Sequence, residues 1–236
     1  MGEVLMAVEF VGVSTFTTTS TLLSITSRPT GTAAGDLLVM ALVTWAQPLS
    51  YVPEGWTVAV SDGTTTQAAM LFRIADMTAK DQPYVQLGGT GNHAAAVHAF
   101  RGVDPAEPVG SAVYSYDSSS LRNKQTPAIT TSGEDGMLLR LAASGVNTAN
   151  HSWTWAAAAT EVTDFRTSSG YRFISTAIQP APIPDTYGTV QATFTFGSYA
   201  YMITAEIRAK RKSRLHLGNT PLPLMLGNTE LEFMGP

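Results

Sequence analysis

The most regular feature of the chain is an alternation of apolar and polar residues with a period of two. In VQATFTF, at residues 190–196, every second residue is apolar and the three between them are polar. The next run, SYAYMITAEIRA, places Tyr199, Tyr201 and Ile203 on one side of a strand. Alternation of this kind is typical of a β-strand with one buried face. We therefore predict two consecutive strands here, separated by a turn at Gly197.

Similar runs recur about every ten residues along the rest of the sequence. They are MAVEFVGV, DLLVMALVTW, WTVAVS, QAAMLFRIA, PYVQLG, HAAAVHAFRG, GMLLRLAAS, SWTWAA and GYRFISTAI. Turn clusters such as SDGT, GGTGN and GEDG separate them, and no stretch has a helical period with caps. Many short strands joined by turns favour an all-β fold, and we predict a jelly-roll-like two-sheet β-sandwich.

One predicted strand departs from the alternation. DLLVMALVTW is apolar on both faces between Leu37 and Val43. Because a sandwich strand normally shows one face to water, we predict that this strand is central and that its outer side is covered. A loop, the C-terminal segment or another subunit could provide the cover. The turn at Gly35 and Asp36 is predicted to start the strand, and Trp56 is predicted to plug the core.

The C-terminal end carries a second, shorter pattern. The phrase Leu-Gly-Asn-Thr occurs at 217–220 and at 226–229, and the segment divides into three short strands at 215–217, 222–226 and 231–233. A meander this small buries too little area to be stable alone in water, and its edges invite pairing. We predict that it docks on its own sandwich, on a symmetry-related copy or on a different protein. The candidate docking residues are Leu217, Leu222, Leu224, Leu226, Leu231 and Phe233.

Composition adds a boundary between these two parts. Of the 236 residues, 44% are hydrophobic and 14% charged, and the chain has no cysteine, so the core must stabilise the fold. Residues 1–207 carry 9 basic and 16 acidic side chains, whereas residues 208–236 carry 5 basic and 2 acidic ones. We predict a body at 1–209 and a docking segment at 210–236. The basic residues at the junction are Arg208, Lys210, Arg211, Lys212 and Arg214.

This basic run has three interpretations: a solvated linker, a segment attracted to an acidic neighbouring subunit, and a nucleic-acid contact. The last is not expected, since nucleic-acid binding usually needs a basic body and interleaved aromatic residues as well. The N-terminus MGEVLMAVEF lacks the basic segment of a secretion signal, and no run of about 18 apolar residues could span a bilayer. No membrane partner is expected.

The search for chemistry finds no catalytic set. His93 and His98 are five residues apart on one strand, which places them on opposite faces and argues against a shared metal. Both are interpreted as strand-end or surface histidines. The sequence LGGTGNH continues into a strand, so a hairpin turn is expected instead of a phosphate loop, and DPAEP is interpreted as a surface turn. No enzyme activity, cofactor or metal is predicted.

Two tryptophans leave one binding alternative open. Trp153 and Trp155 share a face of the SWTWA strand, and paired aromatic rings can stack on sugars in jelly-roll lectins. The competing interpretation is core packing, which we favour because large aromatic side chains contribute most when buried. Exposed rings would indicate a host-glycan adhesin. A depolymerase would instead require two acidic side chains converging in a groove.

A series of short motifs resembles a β-rich domain of tailed-bacteriophage virion proteins, the minor tail proteins. The motifs are AAGDLLVMALVT, PEGWTV, MLFRIA, HAFRGVDPAEPV, PAITTSGEDGMLLRLAA and YGTVQATFTFGSYAYMITAEIRA. Their order covers residues 10–209. The closing repeat is similar to the ends of actinobacteriophage tail proteins, although here the phrase occurs only twice.

The resemblance implies a non-enzymatic structural protein of the virion, assembled in the bacterial cytoplasm, whose partners are other virion proteins. By analogy it also implies a homo-oligomer, with a trimer as a plausible form. It supplies no catalytic residue. A capsid decoration or head-fibre protein is the structural alternative, and a tail adhesin for host glycans is the binding alternative.

Overall fold

A computed structural model describes residues 7–44, 49, 51–62, 68–145, 152–167, 172–210, 222–226 and 229–233. The chain divides into a compact body, Met6–Lys210, and a second unit formed by Met1–Leu5 and Arg211–Pro236. The strands of the body are β1 (Glu9–Thr18), β2 (Leu22–Ser24), β3 (Leu37–Val43), β4 (Thr57–Ser61), β5 (Ala68–Ile74), β6 (Tyr84–Gln86), β7 (His93–Arg101), β8 (Val109–Asp117), β9 (Asn123–Gln125), β10 (Ile129–Thr130), β11 (Gly136–Ser144), β12 (Trp153–Trp155), β13 (Thr160–Arg166), β14 (Phe173–Ala181), β15 (Thr186–Tyr187), β16 (Gln191–Phe194) and β17 (Ala200–Ile207). One 3-10 turn, Ala79–Asp81, interrupts them.

Ten of these strands form two antiparallel five-stranded sheets. The first sheet has the order β1-β7-β3-β5-β4, and the second has the order β13-β14-β11-β17-β8. Their facing sides enclose one apolar core, which includes Val39 and Phe100 from the first sheet and Leu141 and Ile203 from the second. The predicted all-β, two-sheet sandwich is therefore confirmed.

The connections between the strands could not be read from the sequence. The first half of the chain builds the first sheet and the second half builds the second sheet, whereas the chain of a jelly roll passes back and forth between its sheets. Within each half, the five main strands occur in the same spatial order: first, fifth, second, fourth, third. The two sheets thus share one topology.

The strand that is apolar on both faces lies at the centre of the first sheet, between β7 and β5. All seven residues of β3 are buried. Leu37 and Val39 face the core between the sheets, while Leu38 and Met40 face outward into a second apolar cluster. The predicted central position and the predicted cover are both confirmed.

The cover of the first sheet comes from the body itself. The short strands β2 and β6 pair with each other and place Leu23 and Val85 over the outer face of β3. Trp56 joins this cluster with 5% of its surface exposed, and its Nε1–H donates to the Lys80 carbonyl at 2.9 Å. Gly35, at a φ of 89°, makes the turn that leads into β3, as predicted.

The outer face of the second sheet is covered by β9, β12 and β16, which form a three-stranded sheet, and by the pair β10 and β15. Phe194 of β16 packs on Trp153 and on Phe173 of the main sheet. The predicted strand at 190–196 is shorter than expected, because β16 ends at Phe194 and leaves Phe196 half exposed.

A buried guanidinium lies beneath this second cover. Arg140, on the outer face of β11, donates to Thr126 Oγ1 at 2.7 Å, to Gln179 Oε1 at 2.8 Å and to the Gly188 carbonyl at 3.0 Å. Its side chain also donates to Thr204 Oγ1 at 3.2 Å. All these acceptors are uncharged, and burial lowers the pKa of Arg140 to about 10. Arg140 thereby ties the cover to the sheet.

Candidate functional site

The C-terminal unit contains an antiparallel pair of strands. Strand β18 is Leu222–Leu226 and strand β19 is Thr229–Phe233. Leu226 pairs with Thr229, which leaves two residues between the strands, as in a tight hairpin. Two of the three strands predicted for this segment are therefore present, and the one predicted at 215–217 lies outside the described residues.

The register of this pair separates apolar from polar positions. Leu222 stands opposite Phe233, and Leu224 stands opposite Leu231. Directly opposed residues and every second residue along a strand share one face of a ribbon. Five of the six candidate docking residues, including Leu226, therefore occupy positions on the same face. Leu217 lies outside the described residues.

The alternate positions form the other face of the ribbon. There Pro223 is paired with Glu232, and Met225 is paired with Glu230. The ribbon is thus amphipathic by register: one face has no ionisable residue, and the other has two carboxylates. Such a ribbon can attach to an apolar surface while its other face remains in water.

The basic junction is divided differently from the prediction. Arg208 belongs to the body, where its guanidinium contacts Glu107 at 2.6 Å and Ser132 Oγ at 2.7 Å. Lys210 is the last residue of the body, and its backbone N–H donates to the Gly102 carbonyl. Assigning Arg208 to the linker was wrong, because its charge is already paired. The remaining basic residues, Arg211, Lys212 and Arg214, lie outside the described part of the chain.

The two tryptophans face the interior. Trp153 is 2% exposed and stacks on Phe194 with ring centroids 4.7 Å apart. Trp155 is half-buried, and its Nε1–H donates to Ser175 Oγ at 2.8 Å. This geometry corresponds to the core-packing interpretation, since Trp153 is a core residue and Trp155 packs against the same cluster.

A cluster of tyrosines, which sequence reasoning missed, lies on neighbouring strands of the second sheet. Tyr116 of β8 is 50% exposed and stacks on Tyr201 of β17 at 5.1 Å. The Tyr199 ring meets Tyr201 edge-on at 5.7 Å, and Tyr114 precedes Tyr116 by two residues on β8. The tyrosines repeat at period two in VYSYD and SYAY, a signal that could have located the cluster.

Two ionisable neighbours set the chemistry of the tyrosine cluster. Burial and the negative charge of Asp62 raise the pKa of Tyr114 to about 12, and burial also raises the pKa of Tyr201. The buried Arg172 donates from Nη1 to the Tyr199 hydroxyl at 3.1 Å. At neutral pH, Tyr114 and Tyr201 therefore remain protonated and can donate hydrogen bonds. Tyr201 lies in the core, and Tyr116, which stacks on it, is the exposed ring of the cluster.

The fold itself does not require these tyrosines. The equivalent strands of the first sheet are β1 and β7, and their registers equate Tyr116 with Thr17 and Tyr201 with Ala94. The first sheet therefore has the same topology without aromatic residues at the equivalent positions. Two further exposed side chains, Leu121 and Phe196, follow β8 and β16 respectively.

A cleft of about 600 Å³ opens between the two sheets beside β4 and β8. Its lining includes Thr57 and Phe72 from the first sheet and Val109 from the second. Its charged groups, Arg208 and Glu107, pair with each other at 2.6 Å. Because this pair is already neutralised, the cleft offers little charge for recognising an ionic ligand.

Both histidines of β7 are buried, so neither is a surface residue. His93 is the first residue of the strand, in agreement with a strand-end position, whereas the interpretation was wrong for His98, which lies inside the strand. His98 faces the core, where Nδ1 lies 3.2 Å from the Val39 carbonyl and Nε2 lies 2.7 Å from Thr176 Oγ1. Since a carbonyl only accepts, Nδ1–H donates to it and Nε2 accepts from the threonine. Burial lowers the pKa of His98 to about 4, so the ring is neutral at pH 7. The hydrogen bond between His98 and Thr176 connects the two sheets.

Across the residues that the structure describes, no three histidines or acidic side chains come close enough together to hold a metal ion. The same ranges contain no helix that is long and apolar enough to cross a membrane. DPAEP is a turn in which Asp104 Oδ1 accepts from the Ala106 N–H at 2.9 Å, as predicted.

The candidate interaction surfaces of this chain are thus the apolar face of the C-terminal ribbon and the tyrosine cluster of the body. Comparison with known proteins finds no matching family model, no similar curated protein and no similar solved structure.

Proposed function

We propose that the protein is a non-enzymatic structural component of a bacteriophage virion, in first place a minor tail protein, that attaches to a neighbouring virion protein through its C-terminal ribbon. The resemblance of the ordered motifs at 10–209 to phage tail proteins motivates the assignment to a virion. The proposed mode of attachment rests on the ribbon itself.

One observation carries this proposal: the register of β18 and β19 gathers Leu222, Leu224, Leu226, Leu231 and Phe233 on a single face. A two-stranded ribbon is marginally stable at best in water, so it needs a surface to pack on. Burying an apolar side chain contributes about 1.5–3 kcal/mol, and several together can hold two proteins in one assembly. We propose that this surface belongs to another virion protein.

The proposal predicts different effects on the two faces of the ribbon. Replacing Leu224 and Leu231 together by glutamate should reduce incorporation of the full-length protein into particles at least tenfold, because two charges would be buried in the contact. The matched control is Met225→Glu on the opposite face, which should incorporate like the wild type. Quantitative immunoblotting of purified particles measures incorporation.

The thermal midpoint of each purified variant should stay within about 2 °C of the wild type, which excludes loss of the body fold as the cause. Equal incorporation of the two-leucine variant and the wild type would contradict the proposed attachment. Immunogold electron microscopy of the same particles then separates a tail location from the capsid alternative.

The tyrosine cluster favours a second candidate function, the binding of host-surface sugars. Tyr116 is half exposed and held in place by stacking on Tyr201, and a fixed aromatic ring of this kind can pack against a sugar ring. This candidate is independent of the ribbon, because the cluster lies entirely in the body.

Replacing Tyr116 by alanine should weaken binding to bacterial surface glycans on an array about tenfold, the loss expected for one aromatic contact of about 1.4 kcal/mol. The matched control is Tyr84→Ala, since Tyr84 is 65% exposed on β6. If no glycan binds, or if both variants bind equally, the sugar-binding candidate fails and the structural proposal is unaffected.

A further inference from the structure

The two sheets of the body share more than their strand order. In both, the first strand carries a bulge where it pairs with the fifth: between Phe10 and Gly12 on β1, and opposite the step from Ala205 to Ile207 on β8. In both, the third strand carries a bulge where it pairs with the fourth, at 58–60 on β4 and at 161–163 on β13. A bulge is a specific irregularity, and its recurrence at equivalent pairs of both sheets indicates a shared structure.

The turns before the main strands agree as well. Gly35 precedes β3 at a φ of 89°, and Asp135 precedes β11 at a φ of 54°. A non-glycine residue rarely adopts this conformation, which indicates that the second turn is held in the shape of the first. The third strands also begin alike, after turns in which Trp56 N–H donates to Pro53 O and Ala159 N–H donates to Ala156 O.

The junction of the halves reveals an approximate two-fold axis. Phe100 pairs with Leu37 at the start of β3, and Ile207 pairs with Met137 at the start of β11, so Phe100 and Ile207 are equivalent. Counting on by two and three residues makes Gly102 equivalent to Ala209, and Val103 equivalent to Lys210. Val103 forms an antiparallel bridge with Ala209, and Lys210 N–H donates to Gly102 O. The equivalence therefore maps this bridge onto the adjacent pair of the same short ladder, Lys210 and Gly102, so the two chain segments exchange places to within one residue, as an approximate two-fold axis requires.

The packing of the sheets follows the same symmetry. β1 lies over β13 and β8 lies over β4, so a first strand covers a third strand in each case. Likewise β7 faces β14 and β17 faces β5. We infer that the body is two copies of one structural unit fused in one chain, and that the inner sheet face of this unit is a self-recognition surface whose partner is a second copy of the unit. This inference does not depend on the proposed function.

Equivalent core contacts carry different side chains in the two halves. His98 of β7 bonds to Thr176 of β14 across the sheets. The equivalent positions are Ala205 of β17 and Met70 of β5, which are both buried in the core. The symmetry thus specifies a replacement for the polar contact: alanine on the fifth strand and methionine on the fourth.

This replacement tests the inference on the full-length chain. His98→Ala alone removes the partner of Thr176 and leaves a cavity, and Thr176→Met alone overpacks against His98. Each single variant should lower the thermal midpoint by about 5 °C or more. The double variant should return to within about 2 °C of the wild type, because Ala205 and Met70 occupy the equivalent positions in the same core. Differential scanning calorimetry at pH 7.5 measures all four proteins.

The matched control contains the same two residue types in the opposite places, His98→Met with Thr176→Ala. It conserves the volume of the pair equally well, but it has no counterpart in the other half, so it should melt at least about 5 °C below the double variant. If the control and the double variant have equal midpoints, or if the effects of the two single substitutions simply add, the inference is overturned.

A reciprocal pair covers the case in which the double variant does not fold. Ala205→His with Met70→Thr should build a second imidazole–threonine bridge, since Leu139 occupies the position equivalent to Val39 and offers the same carbonyl. The expected result is a folded protein with one additional histidine that titrates near pH 4 by NMR. An added histidine that titrates near its ordinary pKa of about 6.5 would contradict the equivalence.

Discussion

Replacing Arg140 by alanine is expected to lower the free energy of unfolding by about 3–5 kcal/mol, the largest single-residue effect that we predict. The substitution removes donors from Thr126, Gln179, Thr204 and the Gly188 carbonyl, and it leaves a cavity beneath the cover of the second sheet. A buried acceptor that loses its donor costs about 1–3 kcal/mol, and several are affected together. Urea denaturation measures the loss.

Two variants show which property of Arg140 matters. Arg140→Lys keeps the charge but cannot reach acceptors arranged around a planar fork, so it should lose nearly as much stability as alanine. Arg166→Ala removes an exposed arginine from the edge strand β13 of the same sheet and should change the stability by less than about 0.5 kcal/mol. A loss below about 1 kcal/mol for Arg140→Ala would show that the network does not stabilise the cover.

Acidification from pH 7 to pH 4 should lower the free energy of unfolding by about 3 kcal/mol through the protonation of His98. Its pKa in the folded protein is about 4, below the ordinary value of 6.5, so the folded state favours the neutral ring. The contribution is therefore complete above pH 6.5 and declines as the pH falls toward 4. Protonation would place a charge beside Phe10 and Phe100 in the apolar core.

A half-buried group acts in the opposite direction. Burial raises the pKa of Asp164 to about 6, so the folded state favours its protonated form, and its effect on stability improves as the pH falls through 6. Asp164→Asn should therefore show a steeper acid loss than the wild type. The double variant His98→Ala, Thr176→Met should lack the loss due to His98. Identical pH profiles for the wild type and this double variant would contradict the prediction.

The strands of the body were predictable because burial on one face imposes period two on the sequence, as along β16. The covered position of β3 was predictable for the same reason, since Leu38 and Met40 need apolar neighbours as much as Leu37 does. Alternation reports whether a residue faces inward, however, and not which strand lies beside its own. The shared order of the two sheets therefore had no signature in the pattern.

The sequence also does not reveal the equivalence of the two halves, because the residues buried at equivalent positions differ. Where one half has His98 and Thr176, the other has Ala205 and Met70, so matched positions differ in polarity and size. His98 was misinterpreted because the sequence does not show that Thr176, far away in the chain, supplies a partner. The sequence could not show that the tryptophans belong to the core, because this depends on the pairing of β12 with β16, which places Phe194 opposite Trp153.

The bridge between Val103 and Ala209 has a mechanical consequence. It lies immediately before Lys210, where the chain leaves the body toward the C-terminal ribbon. Tension on the chain beyond Lys210 would reach this bridge first and β17 next, and β17 is held between β11 and β8 by hydrogen bonds that run across the strand. A load directed along β17 would shear two ladders at once instead of opening them one bond at a time. The point of attachment is therefore reinforced against tension along the chain.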